Sequence, residues 1–218
     1  MRDLKDHLYE QVARIGKALG SPKRLELIEL LCQGEKSVET LASQAEISVT
    51  LASAHLKALR AARLVDSHRD GKFVLYRLAG PGVANLWVAL RSEAEERLVE
   101  LQVALSSLLD PTTQRLEGLD GQALLTKAKA GQVVVLDVRP VEEYVAAHLP
   151  YARSLPLTEL RKRLNELPDG VPVVAYCRGP FCLMAKDAVR LLRKKGLQAF
   201  HLAAGVPEWR AQGLPIEA

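Results

Sequence analysis

The chain has 218 residues, 48% hydrophobic, 26% charged and only 5% aromatic, which suits one large domain or two small ones with aliphatic cores and excludes global disorder. Its unbroken apolar runs are a handful of residues long, far short of the roughly 18–20 needed to span a bilayer. The formal net charge of +4 hints at an anionic partner without saying where the charge sits.

The opening residues, MRDLKDHLYE, mix both charge signs and lack an apolar segment, so no secretory signal is expected. Three cysteines (Cys32, Cys177, Cys182) are an odd, low count, which argues for a reducing cytoplasm and against a disulfide scaffold. Leu4, Leu8, Val12, Ile15 and Leu19 recur at three- and four-residue steps and predict a first helix. Gly20-Ser21-Pro22 stops it, with Ser21 as N-cap and Pro22 as first residue of a second helix ending near Gly34. Ser37–Ala45 predicts a third helix, and Ser48 caps a fourth that runs to about Ala62. Leu64–Ser67 and Phe73–Leu78 read as strands joined by a turn on Asp70-Gly71. One long helix follows Pro81-Gly82, with a stripe of Leu86, Leu90, Leu98, Leu101, Leu105 and Leu108, and ends at Asp110-Pro111.

Polar Thr112, Thr113 and Gln114 suggest a linker, so the expected division is a domain over 1–110, a linker over 111–118 and a second domain over 119–218. From about Leu119 helical and strand patterns alternate. Val133–Leu136 and Val171–Tyr176, the latter interrupted by Pro172, read as buried parallel strands. Val141–Ala147, Leu157–Leu164 and Leu183–Lys195 read as helices, and Phe200–Leu202 as a further strand. That order is an α/β signature.

In the first half, helix, short turn, helix and hairpin follow the order of a winged helix-turn-helix. Leu51, Leu56 and Leu59 are spaced to dock the fourth helix on a core. Ser48, Thr50, Ser53, His55, Lys57 and Arg60 are left for DNA, with Arg69 and Lys72 near the wing tip for phosphates. Ala18-Leu19-Gly20-Ser21-Pro22-Lys23-Arg24-Leu25, the Ser53-x-His55-Leu56-x-x-Leu59 helix and Gly71…Tyr76-Arg77-Leu78 resemble the ArsR/SmtB family of dimeric bacterial repressors over roughly residues 10–108. The resemblance implies a homodimer built on the first and last helices, reading double-stranded operator DNA. His55 has two readings, a DNA contact or a packing residue. Where many relatives carry a metal-binding cysteine pair this chain has Ser37-Val38-Glu39, and its last helix has neither Cys nor His, so no metal site is expected. Cys32 reads as a small core residue.

In the second half, Cys177-Arg178-Gly179-Pro180-Phe181-Cys182-Leu183 lies between a buried strand and a helix start. Such a loop aims several backbone N–H groups and a helix dipole at one point, so the Cys177 thiol is expected below its ordinary pKa. The loop resembles the rhodanese (sulfurtransferase) family. Leu136-Asp137-Val138-Arg139, Glu142-Glu143-Tyr144-x-x-x-His148-Leu149-Pro150 and Leu202-Ala203-Ala204-Gly205-Val206-Pro207-Glu208-Trp209 support it in family order over roughly 119–216. The resemblance implies an α/β fold with a parallel sheet, a persulfide on Cys177 cradled by the loop N–H groups, and a sulfane-sulfur donor and thiol acceptor as partners, with no cofactor. Asp137 and Arg139 are expected to brace the loop as an ion pair. His148 is expected at a turn and Trp209 in the core.

Tyr151 and Ala204 stand where the family commonly has glycine. Cys182 reads either as an inert apolar residue or as a resolving thiol. Phosphatases of the same fold need an arginine six residues after the cysteine; here that position is Leu183, which argues against phosphate-ester chemistry. Two functions lead, with a third in which the rhodanese domain is catalytically idle and binds a partner protein. One is a transcriptional regulator, a repressor, whose rhodanese domain senses or transfers sulfane sulfur. The other is a sulfurtransferase whose winged helix serves oligomerisation or docking. The charge now has a place. Residues 1–110 hold 15 basic and 15 acidic residues, and 111–218 hold 15 and 11. Within 48–77 six basic residues face two acidic ones, so the case for DNA rests on that window.

Overall fold

The computed structural model describes residues 2–108 and 120–218, so the expected linker over 111–118 lies outside the described residues. Contacts divide the chain into two units, Met1–Ala89 and Leu90–Ala218. No helix among the described residues is long and apolar enough to cross a membrane.

The first unit is helical with a small sheet. It comprises α1 (Arg2–Leu19), α2 (Pro22–Leu31), β1 (Lys36–Ser37), α3 (Val38–Gln44), α4 (Val49–Ala61), β2 (Val65–Asp70), β3 (Phe73–Leu78) and the start of α5 (Pro81–Arg97). Ser21 is extended ahead of Pro22, but its side chain makes no cap bond. Ser37 caps α3 by accepting the Thr40 N–H at 3.1 Å, and Ser48 caps α4 by accepting the Leu51 N–H at 3.2 Å. Leu27, Ile28, Leu41, Leu56, Leu59 and Val65 are fully buried. The docking face of α4 differs from the expected one. Ala52, Leu56 and Leu59 face the core, whereas Leu51 is 44% exposed, because residue 52 rather than 51 lies four residues before Leu56. The strand order is β1-β3-β2, all antiparallel. β2 runs to Asp70, which pairs with Phe73, so the tip is Gly71-Lys72 rather than Asp70-Gly71, with Gly71 at φ +56°.

The expected single long helix is two. α5 ends at Arg97 and α6 spans Val99–Leu108, with the break at Leu98. Gln102 Nε2 donates to the carbonyls of Glu95 and Glu96 at 2.9 and 3.0 Å, satisfying groups the break leaves open.

The second unit continues with α7 (Gly121–Lys129), β4 (Val134–Asp137), α8 (Val141–Ala146), β5 (Arg153–Ser154), α9 (Leu157–Leu160), β6 (Val173–Tyr176), α10 (Met184–Lys194), β7 (Ala199–His201) and α11 (Val206–Ala211). Its four strands pair in parallel in the order β5-β4-β6-β7. Alternate residues serve opposite faces. Val134, Leu136, Val173 and Ala175 pack with Leu160, Ala188 and Leu192, while Val135, Val174 and Tyr176 pack with Leu124, Val206 and Trp209. Both faces are therefore covered, which explains the continuous apolar runs. The helix expected over 157–164 stops at Leu160.

Candidate functional site

β6 ends at Tyr176 in the middle of the sheet, and Cys177 opens the loop to α10. The Cys182 N–H donates to the Gly179 carbonyl at 3.1 Å, folding the loop back so that the Cys177 thiol donates to the Cys182 carbonyl at 3.4 Å. Cys177 is 1% exposed, inside the sheet-covering cluster, while Cys182 packs against that cluster half-buried. Backbone N–H groups of Ala185 and Gly179 reach the Cys177 sulfur, and those of Arg178 and Met184 reach Cys182. The donors therefore extend into the first turn of α10, beyond the expected Arg178–Leu183 set.

The electrostatics correct the expectation for Cys177. Burial, then its hydrogen bond to Cys182, pushes the Cys177 thiol well above the ordinary range. The thiolate falls instead to Cys182, lowered to about 6. The Cys177 hydrogen bond does most, against desolvation, followed by the Arg178 and Met184 N–H groups and the Arg178 charge. Cys177 is the more deeply buried of the two, which is the largest cause of its rise.

Two glycines make the loop possible. Gly179 has φ +149°, and a Cβ there would lie 3.2 Å from Glu208 Oε2. At Gly205 a Cβ would lie 2.5 Å from the Arg178 carbonyl oxygen. Pro180 and Phe181 are half-buried in the loop, and Leu183, 46% exposed, precedes α10. The Arg91 guanidinium, on α5, lies 5.6 Å from the Phe181 ring centre.

Asp137 and Arg139 form a fully buried ion pair at 2.6 Å. The Tyr176 hydroxyl donates to Asp137 Oδ2 at 2.5 Å, and Arg139 Nη2 donates to the Ala147 carbonyl at 2.7 Å. These bonds hold the residue immediately before Cys177. His148 stacks on Tyr144 at 3.8 Å between ring centres, and Trp209 is 1% exposed. Tyr151 has φ +64°, which explains why glycine is common at that position.

Three site residues gave no sequence signal strong enough to find them. Glu143 is 1% exposed and grips Arg178 at 2.6 Å, yet its neighbour Glu142 is exposed and the sequence does not distinguish the two. Glu208 accepts the Gly205 N–H at 2.6 Å and pairs with Arg91 at 2.9 Å. Its spacing, three residues after Gly205, is that of a helix-start acid and could have been noticed. Arg91, 3% exposed in its side chain, also pairs with Glu95 at 3.1 Å.

In the first unit, Ser48, Thr50, Lys57 and Arg60 are exposed on α4, and Ser53 and His55 are half-buried. Arg60 donates to Ser67 Oγ on β2 at 3.0 Å, fastening helix to wing. Arg69 and Lys72 are exposed near the hairpin tip, where Lys72 Nζ lies 5.3 Å from the Phe73 ring centre. Leu4, Leu8, Tyr9 and Val12 leave an apolar stripe of α1 59–70% exposed. No group of three His, Cys, Asp or Glu residues arranged to hold a metal ion occurs among the described residues.

Known proteins match both units. Residues 21–67 match the family "Bacterial regulatory protein, arsR family", and residues 121–212 match "Rhodanese-like domain". The chain is 42% identical to the HTH-type transcriptional regulator Rv0324 of Mycobacterium tuberculosis, over 99% of this chain and 94% of that protein. It is 33% identical to the putative sulfur carrier protein YrkF of Bacillus subtilis, over 34% of this chain and 40% of that protein. A solution structure described as the homodimeric winged helix-turn-helix DNA-binding domain of Mb0332 from Mycobacterium bovis is 43% identical, covering 44% of this chain and 89% of that one, with a TM-score of 0.42.

Proposed function

Since this chain belongs to the ArsR-family HTH-type transcriptional regulators and carries a rhodanese-like domain, we propose that it is a homodimeric repressor that senses sulfane sulfur as a persulfide on Cys177. The observation that carries this reading is the Cys177–Cys182 loop. Two thiols share a hydrogen bond and four backbone N–H donors, a setting for sulfur chemistry.

On this reading residues 1–110 form the DNA-binding and dimerisation domain, 111–118 the linker and 119–218 the sulfur-handling domain. Ser48, Thr50, Ser53 and His55 face the major groove from α4, and Lys57, Arg69 and Lys72 hold phosphates. Arg60 positions the wing through Ser67. The exposed apolar stripe of α1 supports the homodimer, since a lone helix face of that size is otherwise left in water. A persulfide donor loads Cys177, a thiol acceptor unloads it, and transfer to that acceptor makes sulfurtransferase activity secondary to regulation. The name of YrkF, a putative sulfur carrier, agrees with that chemistry.

The test is a gel-shift titration with a duplex selected from random sequence. Polysulfide is expected to weaken binding by wild type about 5- to 150-fold, the range of ordinary allosteric coupling. Cys177→Ser should bind the duplex and ignore polysulfide. A serine variant that responds like wild type overturns the reading.

A further inference from the structure

We propose that Cys182 resolves the Cys177 persulfide, closing a Cys177–Cys182 disulfide and releasing hydrosulfide. The proposal rests on the persulfide reading above and adds what becomes of that persulfide. The step balances within the loop. The Cys182 thiolate attacks the inner sulfur of Cys177–S–SH, a sulfur–sulfur bond forms between the two side chains, and the bond to the outer sulfur breaks with its electron pair. The outer sulfur leaves as hydrosulfide. It is thereby reduced, the Cys182 sulfur is oxidised in its place, and the Cys177 sulfur stays at the disulfide level throughout.

Three observations support it. The loop is folded back by the Cys182 N–H to Gly179 bond, and the Cys177 sulfur already lies 3.4 Å from the Cys182 carbonyl oxygen. Both thiols pack against one cluster, and both are free in this structure. An inert sulfur at the start of a helix needs no donors, yet Cys182 receives the Arg178 and Met184 N–H groups, with the Cys177 thiol alongside. Those donors favour the thiolate, which is the form that attacks. The division of exposure also fits. Cys182 is half-buried and Cys177 buried, so a thiol in the same loop competes with any acceptor from solution.

The stiff element is Pro180, and the two residues flanking it carry the motion. Gly179 tolerates a wide range of φ, and the Phe181 ring lies 5.6 Å from the Arg91 guanidinium. Closing the disulfide draws Cys182 inward and so shifts Phe181.

The experiment treats reduced full-length protein with one equivalent of sodium tetrasulfide, then reads intact mass, peptide maps and released sulfide. Wild type is expected to lose about 2 Da, show the Cys177–Cys182 cross-link and release sulfide in step with it. Cys182→Ser and Cys182→Ala should each keep a gain of about 32 Da on Cys177. Wild type that holds the 32 Da gain on Cys177 without cross-link overturns the resolving role and leaves the persulfide reading standing. If neither wild type nor the two Cys182 variants takes sulfur on Cys177, the persulfide reading itself falls, and this proposal with it. The wild-type measurement does not depend on any variant folding.

Discussion

Cys177 and Cys182 divide one proton unequally, and that division is measurable. A lowered thiol pKa means that the charged, nucleophilic form dominates above it. Cys182, lowered to about 6, is therefore mostly thiolate at pH 7 and mostly thiol below pH 5. Its alkylation by iodoacetamide, followed by peptide mass spectrometry, should rise through a midpoint near pH 6. Cys177, pushed up by burial, should stay unlabelled across the same range. In Cys177→Ala the largest lowering influence on Cys182 is gone, so its midpoint should move up toward the ordinary thiol range. A midpoint that stays near pH 6 in that variant would show that the shared hydrogen bond does not set it. The sequence makes the loop legible and leads to an expected lowering of the Cys177 thiol, whereas burial pushes that thiol up and the lowered one is Cys182. A residue name carries no information about how deeply its side chain is buried, and burial is the largest cause of the raised Cys177 thiol.

Between α5 and α11 the second unit places a buried ion pair directly beside this loop. Glu208 uses one oxygen on Arg91 and the other on the Gly205 N–H, and that glycine's backbone crowds the carbonyls of Cys177 and Arg178. Removing one partner of a buried pair leaves a desolvated charge, at a cost of about 3–5 kcal/mol. Arg91 retains Glu95, so Glu208→Ala should sit near the lower end, about 3 kcal/mol, read from the denaturant midpoint of the full chain. Stability equal to wild type would mean that the pair contributes nothing net. The same elements show what the sequence made legible. The apolar run before Cys177, the Gly-Pro break and the helical pattern after it placed strand, loop and helix within a residue or two, because local periodicity specifies them. The break at Leu98 was not legible, since the leucine stripe runs through it and only the Gln102 amide, folding back on Glu95 and Glu96, marks it. Leu51 was assigned to the core because leucine is apolar, although Ala52 holds the buried register. Glu143 was invisible because its partner, Arg178, lies 35 residues away and only the folded sheet brings them together.

For the whole molecule the decisive quantity is where charge is placed rather than its sum. Residues 1–110 are balanced at 15 basic and 15 acidic, so their net charge gives no long-range pull toward nucleic acid. Within 48–77 the excess of six basic over two acidic residues sits on α4 and the hairpin, and Lys57, Arg69 and Lys72 are exposed there. Arg60 is engaged with Ser67 and is left out of the count. With the homodimer of the proposed reading, three cations per protomer neutralise six phosphates. Counterion release then sets the slope of log K against log salt at about −5, and affinity should fall roughly a thousandfold between 50 and 200 mM salt. Lys72→Ala removes two of those contacts from the dimer, so the slope should become shallower by about 2 while the preferred duplex stays the same. Fluorescence anisotropy at a series of salt concentrations measures both. A duplex-binding slope near zero, or no binding at low salt, would move the winged helix from DNA reader to oligomerisation or docking module. The sulfur loop would then be the business of an enzyme. A steep slope that Lys72→Ala leaves untouched would keep the DNA reading but take the wing tip off the phosphates, because the lost cation is then one the duplex never neutralised.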